Sequence, residues 1–258
     1  MLLKLNELIQ SDSSMTGIDE EITDFEIKLA FETTGKEIFG FDYLPEGEFF
    51  IEDFHGKLKN YPHFFHDFHA DVFIHDKFLE IKDFKGVIDE SDFLFTGKVV
   101  NYKKWFQEKK VGDSSFEFVL QSKQLQLQDL LSYNGVNYLP EDYSNEVISD
   151  LNLIGKVDLH YQGNFQSADF YLEDLDGKMK IHPLKLQNFG GRVHYENEYL
   201  TMENFGGKMG ISDFKIDLGY FIGNLDSLKG AKPKRNYFTL RSKALDLDAL
   251  MGFEGLDV

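Results

Sequence analysis

The sequence has no cysteine and only five prolines among its 258 residues. Without cysteine there is no disulfide scaffold, no thiol nucleophile and no zinc or iron–sulfur site held by thiolates. No apolar run approaches the roughly 20 residues that a membrane-spanning helix needs. The first ten residues are too few and too charged for a secretory signal.

Basic residues are also scarce, because 27 lysines and arginines face 45 aspartates and glutamates and the net charge is −18. This charge opposes binding to nucleic acid, where affinity comes from basic groups that release counterions. It equally opposes flat docking on an anionic bilayer. What the chain does contain is 42% apolar residues, 26 phenylalanines and 22 glycines. Many aromatics, scattered glycines and little proline favour short strands joined by tight turns.

An internal repeat relates the two halves of the chain. Residues 49–95 align with residues 170–216 without a gap, and 15 of the 47 aligned pairs are identical. After a one-residue slip, residues 122–130 align with residues 242–250, and both segments begin Ser-Lys-x-Leu-x-Leu. A repeat of this length is the signature of an architecture built from stacked or tandem units.

A shorter motif recurs inside each half, with the pattern apolar, any, Asp or Asn, apolar, any, small. Its six copies are residues 51–56, 65–70, 81–86, 172–177, 186–191 and 202–207. Asp and Asn bond their own backbone in turns and Gly accepts a positive φ, so we interpret the motif as strand–turn–strand punctuation. Sugar or calcium binding is the alternative, but the pattern lacks the ligand ladder of a calcium loop.

Comparison of the two copies also predicts which side of each strand is buried. Phe93 and Phe95 match apolar Phe214 and Ile216, whereas Leu94 between them matches Lys215. The same alternation recurs in the other strands, so each has one apolar face and one solvent-exposed face. This is the pattern of an antiparallel sheet with one solvated side. We expect the face to be either the packed core of a closed sandwich or an open apolar surface.

Little in the sequence suggests catalysis. It contains no Gly-x-Ser-x-Gly, phosphate-loop, Gly-x-Gly-x-x-Gly or His-Glu-x-x-His motif. The spacing of His63, His66 and His69 could bring their imidazoles together as metal ligands. In a regular strand, however, His63 and His69 face one side and His66 faces the other. We therefore expect no enzyme, no cofactor and no metal site.

Several segments resemble the AsmA-like proteins of Gram-negative bacteria, in their Bacteroidetes-type form. These segments are residues 79–97, the run Gly190 to Tyr195 continuing to Ser212-Asp213-Phe214, and the closing segments at 122–127 and 242–247. The resemblance covers roughly residues 25–253. The AsmA-like proteins in turn resemble TamB and the bridge-like lipid-transfer proteins. It implies a β-groove in the periplasm, held by an inner-membrane anchor that these residues do not include.

The expected fold is therefore mainly β, with an elongated, twisted antiparallel sheet that forms a groove or open sandwich. It has a few short helices, at residues 2–9, 125–133 and 245–253. It divides into a short helix and acidic loop (1–24), a first repeat (25–133), a second repeat (134–253) and a tail (254–258) of a longer protein. The resemblance implies a non-enzymatic envelope-biogenesis function, in which the groove shields phospholipid acyl chains carried between the inner and outer membranes. The predicted lining residues are Phe49, Ile51, Val72, Ile74, Leu79, Ile81, Phe93, Phe95, Phe118, Leu120, Phe170, Leu172, Val193, Tyr195, Leu200, Met202, Phe214, Ile216, Phe238 and Leu240.

Two other functions remain open from the sequence. A closed β-scaffold would bind envelope proteins and assist outer-membrane protein assembly. A carbohydrate-binding β-solenoid is less favoured, because it needs aromatic side chains beside carboxylates on the outer face. A membrane barrel is discounted, because the wet face carries Lys, Glu and Asp.

Overall fold

The computed structural model of the protein describes residues 22–32, 46–58, 61, 63–107, 109–128, 132–133, 136–137, 145–181, 185–223 and 235–246. The first half contributes β1 (Ile22–Glu32), β2 (Gly47–Leu58), β3 (Phe64–Ile74), β4 (Phe78–Ile88), β5 (Ser91–Val100) and β6 (Lys110–Gln126). A short 3-10 helix (Tyr102–Phe106) lies between β5 and β6. The pair β7 (Ser132–Tyr133) and β8 (Val136–Asn137) forms a small separate hairpin. The second half contributes β9 (Val147–Met179), β10 (Lys185–Glu196), β11 (Tyr199–Met209), β12 (Ser212–Phe221) and β13 (Tyr237–Arg241).

The extended run β9 is a hairpin whose two arms lie side by side. Its first arm pairs with β6 and its second arm pairs with β10. The Asn152 side chain donates to Asp174 at 3.2 Å, so the arms are in contact across the hairpin. Gly163, with a φ of 84°, lies at the reversal of the chain. With the arms counted separately, one open antiparallel sheet has twelve strands in chain order, and the separate β7–β8 pair lies between β6 and β9 in the sequence.

The sheet confirms the predicted fold class, which is mainly β, antiparallel and open. A closed sandwich or closed scaffold is wrong, because in the described part of the chain the sheet does not close on itself. The helical turns predicted over 125–133 are wrong where they are described, because β6 extends through Gln126 and only residues 127–128 are helical. The predicted helix at Leu2–Ile9 and most of the one at 245–253 lie outside the described residues.

The recurring Asp/Asn motif lies within strands, where three of its six copies mark β-bulges, and the turn interpretation is wrong. All six copies lie inside strands, not between them. Asp67, Asn188 and Asn204 adopt positive φ values of 54°, 51° and 51°, and each coincides with a shift in strand register. Asn and Asp tolerate the left-handed conformation, which a bulge requires as much as a turn does. The motif therefore bends the strands without ending them.

The repeated Ser-Asp-Phe and Ser-Lys motifs bind each other at one end of the sheet. In the first half, Asp92 Oδ1 accepts the amide of Gln124 at 2.8 Å, and the Ser91 hydroxyl oxygen accepts that of Gln126 at 2.9 Å. In the second half, Asp213 Oδ1 accepts the amides of Lys243 at 2.9 Å and Ala244 at 2.8 Å. Ser91 and its equivalent Ser212 are fully buried. The two motifs thus form a clamp that ties the closing segment of each repeat to the start of an inner strand.

We expect Asp213→Ala to release this clamp in the second repeat only. The amides of Lys243 and Ala244 lose their acceptor, so their hydrogen exchange should accelerate about tenfold. The amides at Asp92 are an internal control and should keep their protection. Hydrogen exchange read by mass spectrometry measures both segments in one sample, and equal loss of protection in both would contradict the assignment.

The same clamp has a predicted pH dependence. Backbone amides that donate to the carboxylate hold the pKa of Asp213 below its ordinary value. The stabilising contact is therefore present above the ordinary pKa of about 4 and is lost as the pH falls through the lowered value.

Candidate apolar binding face

All twenty predicted lining residues share one side of the sheet, named here the apolar face. Directly paired residues of antiparallel strands point to the same side, so the register traces this face from strand to strand. The pairs Phe49 with Val72 and Ile74 with Leu79 begin the path. Further along, the connecting pairs are Leu79 with Val99, Phe95 with Leu120, Leu120 with Leu153, Phe170 with Val193, Val193 with Met202, Met202 with Leu218, and Leu218 with Phe238.

The apolar face is only half covered. Of the twenty residues, only Ile74 and Leu172 are buried. Phe238 and Leu240 on β13 are 62% and 47% exposed. In the described part of the chain, no second sheet or long helix packs on this side, so most of these side chains touch only their neighbours in the plane of the sheet.

An aromatic cluster occupies one end of the apolar face in the first repeat. The ring of Phe68 lies 5.4 Å from Phe54, 5.7 Å from Phe84 and 5.4 Å from Phe93. The angles between rings are 59° to 71°, within the edge-to-face arrangements that aromatic pairs favour. In the second repeat, Phe189 and Phe214 form the equivalent pair at 5.6 Å. The set of lining residues predicted from sequence missed Phe68 and Phe84, although both are identical in the two copies.

Glycines lie under several of these rings and bring them close to the sheet. A Cβ added at Gly86 would lie 2.6 Å from the Phe68 ring, and one at Gly207 would lie 2.7 Å from the Phe189 ring. In the middle of the face, a Cβ at Gly155 would lie 2.8 Å from the Phe118 ring. The absence of a side chain at these positions lets aromatic rings lie flat over the backbone of the next strand.

The opposite end of the first repeat is covered by the 3-10 helix. Tyr102 is 2% exposed and packs with Ile74 and Val99, and Trp105 lies against this cluster. Trp105 Nε1 donates to the Ser114 hydroxyl at 2.8 Å. Burial raises the pKa of Tyr102. The sequence comparison did not single out either aromatic, since the aligned second-copy residues, at 223 and 226, are Gly and Asp.

The other side of the sheet, named here the polar face, carries ion pairs. Asp169 accepts hydrogen bonds from Arg192 Nε at 2.8 Å and lies 2.9 Å from His194 Nδ1. Burial raises the pKa of Asp169, but the bonds to Arg192 and His194 outweigh it and hold the pKa below its ordinary value. Arg192 also lies over the ring of Tyr171, with 5.6 Å between Cζ and the ring centre.

A depression on the polar face has charged walls. Its volume is about 520 Å³, and Glu80, Lys82, Lys98, Glu117 and Glu173 are among its lining residues. Such walls suit ions and water better than an acyl chain, because an apolar ligand would strip water from them without replacing their hydrogen bonds. This depression is therefore poorly suited to an apolar ligand.

The histidine run has a different geometry from the one predicted. The bulge at Asp67 adds a residue, so Phe65 and Phe68 both join the apolar face, with ring centres 5.7 Å apart. His66 and His69 consequently both project to the polar face, and the prediction that they face opposite sides is wrong.

Each of the first two histidines lies beside its own carboxylate. His63 Nδ1 is 2.5 Å from Asp89 Oδ2, and His66 Nδ1 is 2.7 Å from Asp67 Oδ2. Burial lowers the pKa of His66, but the hydrogen bonds and charges of Asp67 and Asp89 together outweigh it and leave the pKa raised. Within the described ranges, no three His, Asp or Glu side chains converge as metal ligands do.

No protein-family model, no curated protein and no solved structure matches this chain. No helix among the described residues has the length and apolar character needed to cross a bilayer.

Proposed function

We propose that this chain is a section of a cell-envelope β-groove whose apolar face shields lipid acyl chains during transport between the inner and outer membranes. The observation that carries the proposal is the continuity of that face, which runs from β2 to β13 and stays half exposed. Exposed apolar surfaces of this extent are unusual in proteins and mark binding sites for apolar partners.

The energy of binding comes from removing the acyl chain from water. Each buried methylene contributes about 0.8 kcal/mol, so ten methylenes on the face favour the bound state by about 8 kcal/mol before ordering costs. The phenylalanines supply large contact areas with few rotatable bonds, which keeps those costs low. The acidic polar face keeps an elongated sheet in solution.

The proposed location is the periplasm, as part of a protein anchored in the inner membrane, and phospholipid is the proposed cargo. The resemblance in residues 79–97 and in the two closing segments supports this placement. Envelope or outer-membrane assembly proteins are further proposed partners.

The polar face gives less support to carbohydrate binding. Two of its aromatic rings lie under cations: Lys82 Nζ is 5.5 Å from the ring centre of Phe73, and Lys98 Nζ is 4.4 Å from that of Phe78. A sugar that stacked on these rings would have to displace those ammonium groups.

The test is lipid occupancy of the protein purified gently from a Gram-negative host and read by native mass spectrometry. We expect phospholipid at a defined stoichiometry. Phe93→Asp combined with Phe214→Asp should remove it, because both side chains lie on the apolar face. Leu94→Lys is the matched control, since Leu94 lies on the polar face and the second repeat already has Lys215 at that position.

A second variant protects the test against misfolding, because Phe93 is part of the aromatic cluster. Phe238→Asp combined with Leu240→Asp changes the two most exposed of the twenty residues, on the edge strand β13. We expect it to keep the fold by circular dichroism and to lower lipid occupancy severalfold. A lipid-free wild type, or equal losses in the Leu94→Lys control, would overturn the proposal.

A further inference from the structure

The connection between β5 and β6 reverses the charge of the molecule locally. Residues 101–111, named here the β5–β6 tip, contain four lysines and one acidic residue, a net of +3 in a chain of −18. Described carboxylates beside the tip include Asp76, which pairs with Lys103 at 2.6 Å, Asp113, which pairs with His160, and Glu46, whose charge also raises the pKa of Lys103. These carboxylates offset part of the charge of the tip, so its basic character rests on Lys109 and Lys110.

Large apolar side chains project from the same tip. Phe106 is 69% exposed and Val111 is 65% exposed, among the highest values for large apolar residues in the described part of the chain. Phe165, at the reversal of the β9 hairpin, is 47% exposed. It lies 6.3 Å from the ring of Tyr161, which in turn lies 5.5 Å from Lys110 Nζ. Basic and aromatic groups are thus interleaved at this end of the sheet.

Two aromatic side chains attach the tip to the sheet. Tyr102 and Trp105 anchor the 3-10 helix on the apolar face, so Phe106 at its end points away from the core. Lys104 Nζ donates to the carbonyl oxygen of Val111 and closes the loop. Lys109 and Lys110 form no ion pair with any described carboxylate, which leaves their charges available to a partner.

We propose that the β5–β6 tip docks end-on to an anionic phospholipid surface. Phe106 and Val111 would enter the boundary between headgroups and acyl chains, and the lysines would approach the lipid phosphates. The acidic groups at the far end of the sheet do not oppose this orientation. A strand of ten residues spans about 33 Å, several times the Debye length of about 8 Å at physiological ionic strength.

This proposal goes beyond lipid carriage on the apolar face and stands without it. The docked surface is the tip of one connection, whereas cargo would occupy the face of the sheet. Vesicle binding and lipid occupancy are separate measurements, so failure of one does not decide the other.

The experiment is flotation of the protein with vesicles of phosphatidylcholine, with or without phosphatidylglycerol. We expect binding only when phosphatidylglycerol is present, and loss of binding as NaCl rises from about 0.05 M to about 0.5 M. Lys109→Glu with Lys110→Glu should weaken binding about tenfold or more. Phe106→Ser should weaken it about tenfold while leaving the charge unchanged.

Matched controls are available at the opposite end of the sheet. Lys178→Glu with Lys180→Glu makes the same change in total charge, and Ile211→Ser removes an apolar side chain that is 73% exposed. We expect both controls to bind as the wild type does. Absence of binding at low salt, equal binding to neutral vesicles, or equal losses in tip and control variants would overturn the proposal.

Discussion

Replacing Tyr102 by alanine should lower the free energy of unfolding by about 3 kcal/mol. The side chain is 2% exposed and packs on Ile74 and Val99 under the 3-10 helix. Its removal leaves a cavity at the end of the apolar face, and the helix loses its main anchor. Urea denaturation followed by circular dichroism measures the loss.

The control at this position is Tyr102→Phe, which keeps the ring and removes the hydroxyl. Among the described residues, the Tyr102 hydroxyl is buried without a hydrogen-bond partner. Because a buried unsatisfied hydroxyl costs free energy, the phenylalanine variant should unfold within about 0.5 kcal/mol of the wild type or be more stable. A loss as large as that of the alanine variant would show that the hydroxyl, rather than the ring, holds the helix.

Gly206→Ala should be about as damaging, with a loss of about 3 kcal/mol or more. The glycine has a φ of 154°, and an added Cβ would lie 2.1 Å from the carbonyl oxygen of Phe214. The clash is with backbone of the paired strand β12, so no side-chain rotation relieves it. The same denaturation experiment measures the effect.

Gly163→Ala distinguishes the free-energy cost of the steric clash from that of the strained backbone conformation. Gly163 also has a positive φ, of 84°, but an added Cβ meets nothing within 4 Å. The expected loss is about 1 kcal/mol, the ordinary cost of a side chain in that conformation. Similar losses at both positions would mean that conformation alone, and not the contact with Phe214, makes Gly206 necessary.

The buried face of each strand was predictable because the sequence contains two copies of the repeat, which can be compared position by position. Leu94 would read as a core residue by itself, but its alignment with Lys215 assigns it to the polar face, where the register places it. Period-two alternation then assigns the other residues of each strand to one face or the other. This comparison needs no other sequence, which matters for a chain without matching relatives.

The bulges were not predictable by the same reasoning. Asp67 and Asn188 adopt left-handed backbone conformations, which turns and bulges both use and which favour the same residue types. Only pairing with the next strand distinguishes the two, and pairing is a long-range property. The error also reversed the expected side for a histidine, because one extra residue exchanges the two faces of a strand.

The 3-10 helix that covers one end of the apolar face was not predicted either, because the two copies of the repeat differ there. Tyr102 and Trp105 have no aromatic counterparts in the second copy, so agreement between the two copies could not identify them as packed residues. The choice between an open and a closed sheet was also undetermined, since an apolar face has the same alternation in both.

The strands of the sheet follow one another in chain order, and this order has a consequence for how the protein folds. The hairpins from β2 to β5 and from β9 to β12 close short loops, so folding can begin at any of them and extend outward, without waiting for distant segments to meet. The first repeat can therefore take shape before the second has been synthesised. An inserted hairpin would lengthen the sheet by about 9.5 Å and leave the remaining pairings intact, so such a molecule can evolve toward a different span one hairpin at a time.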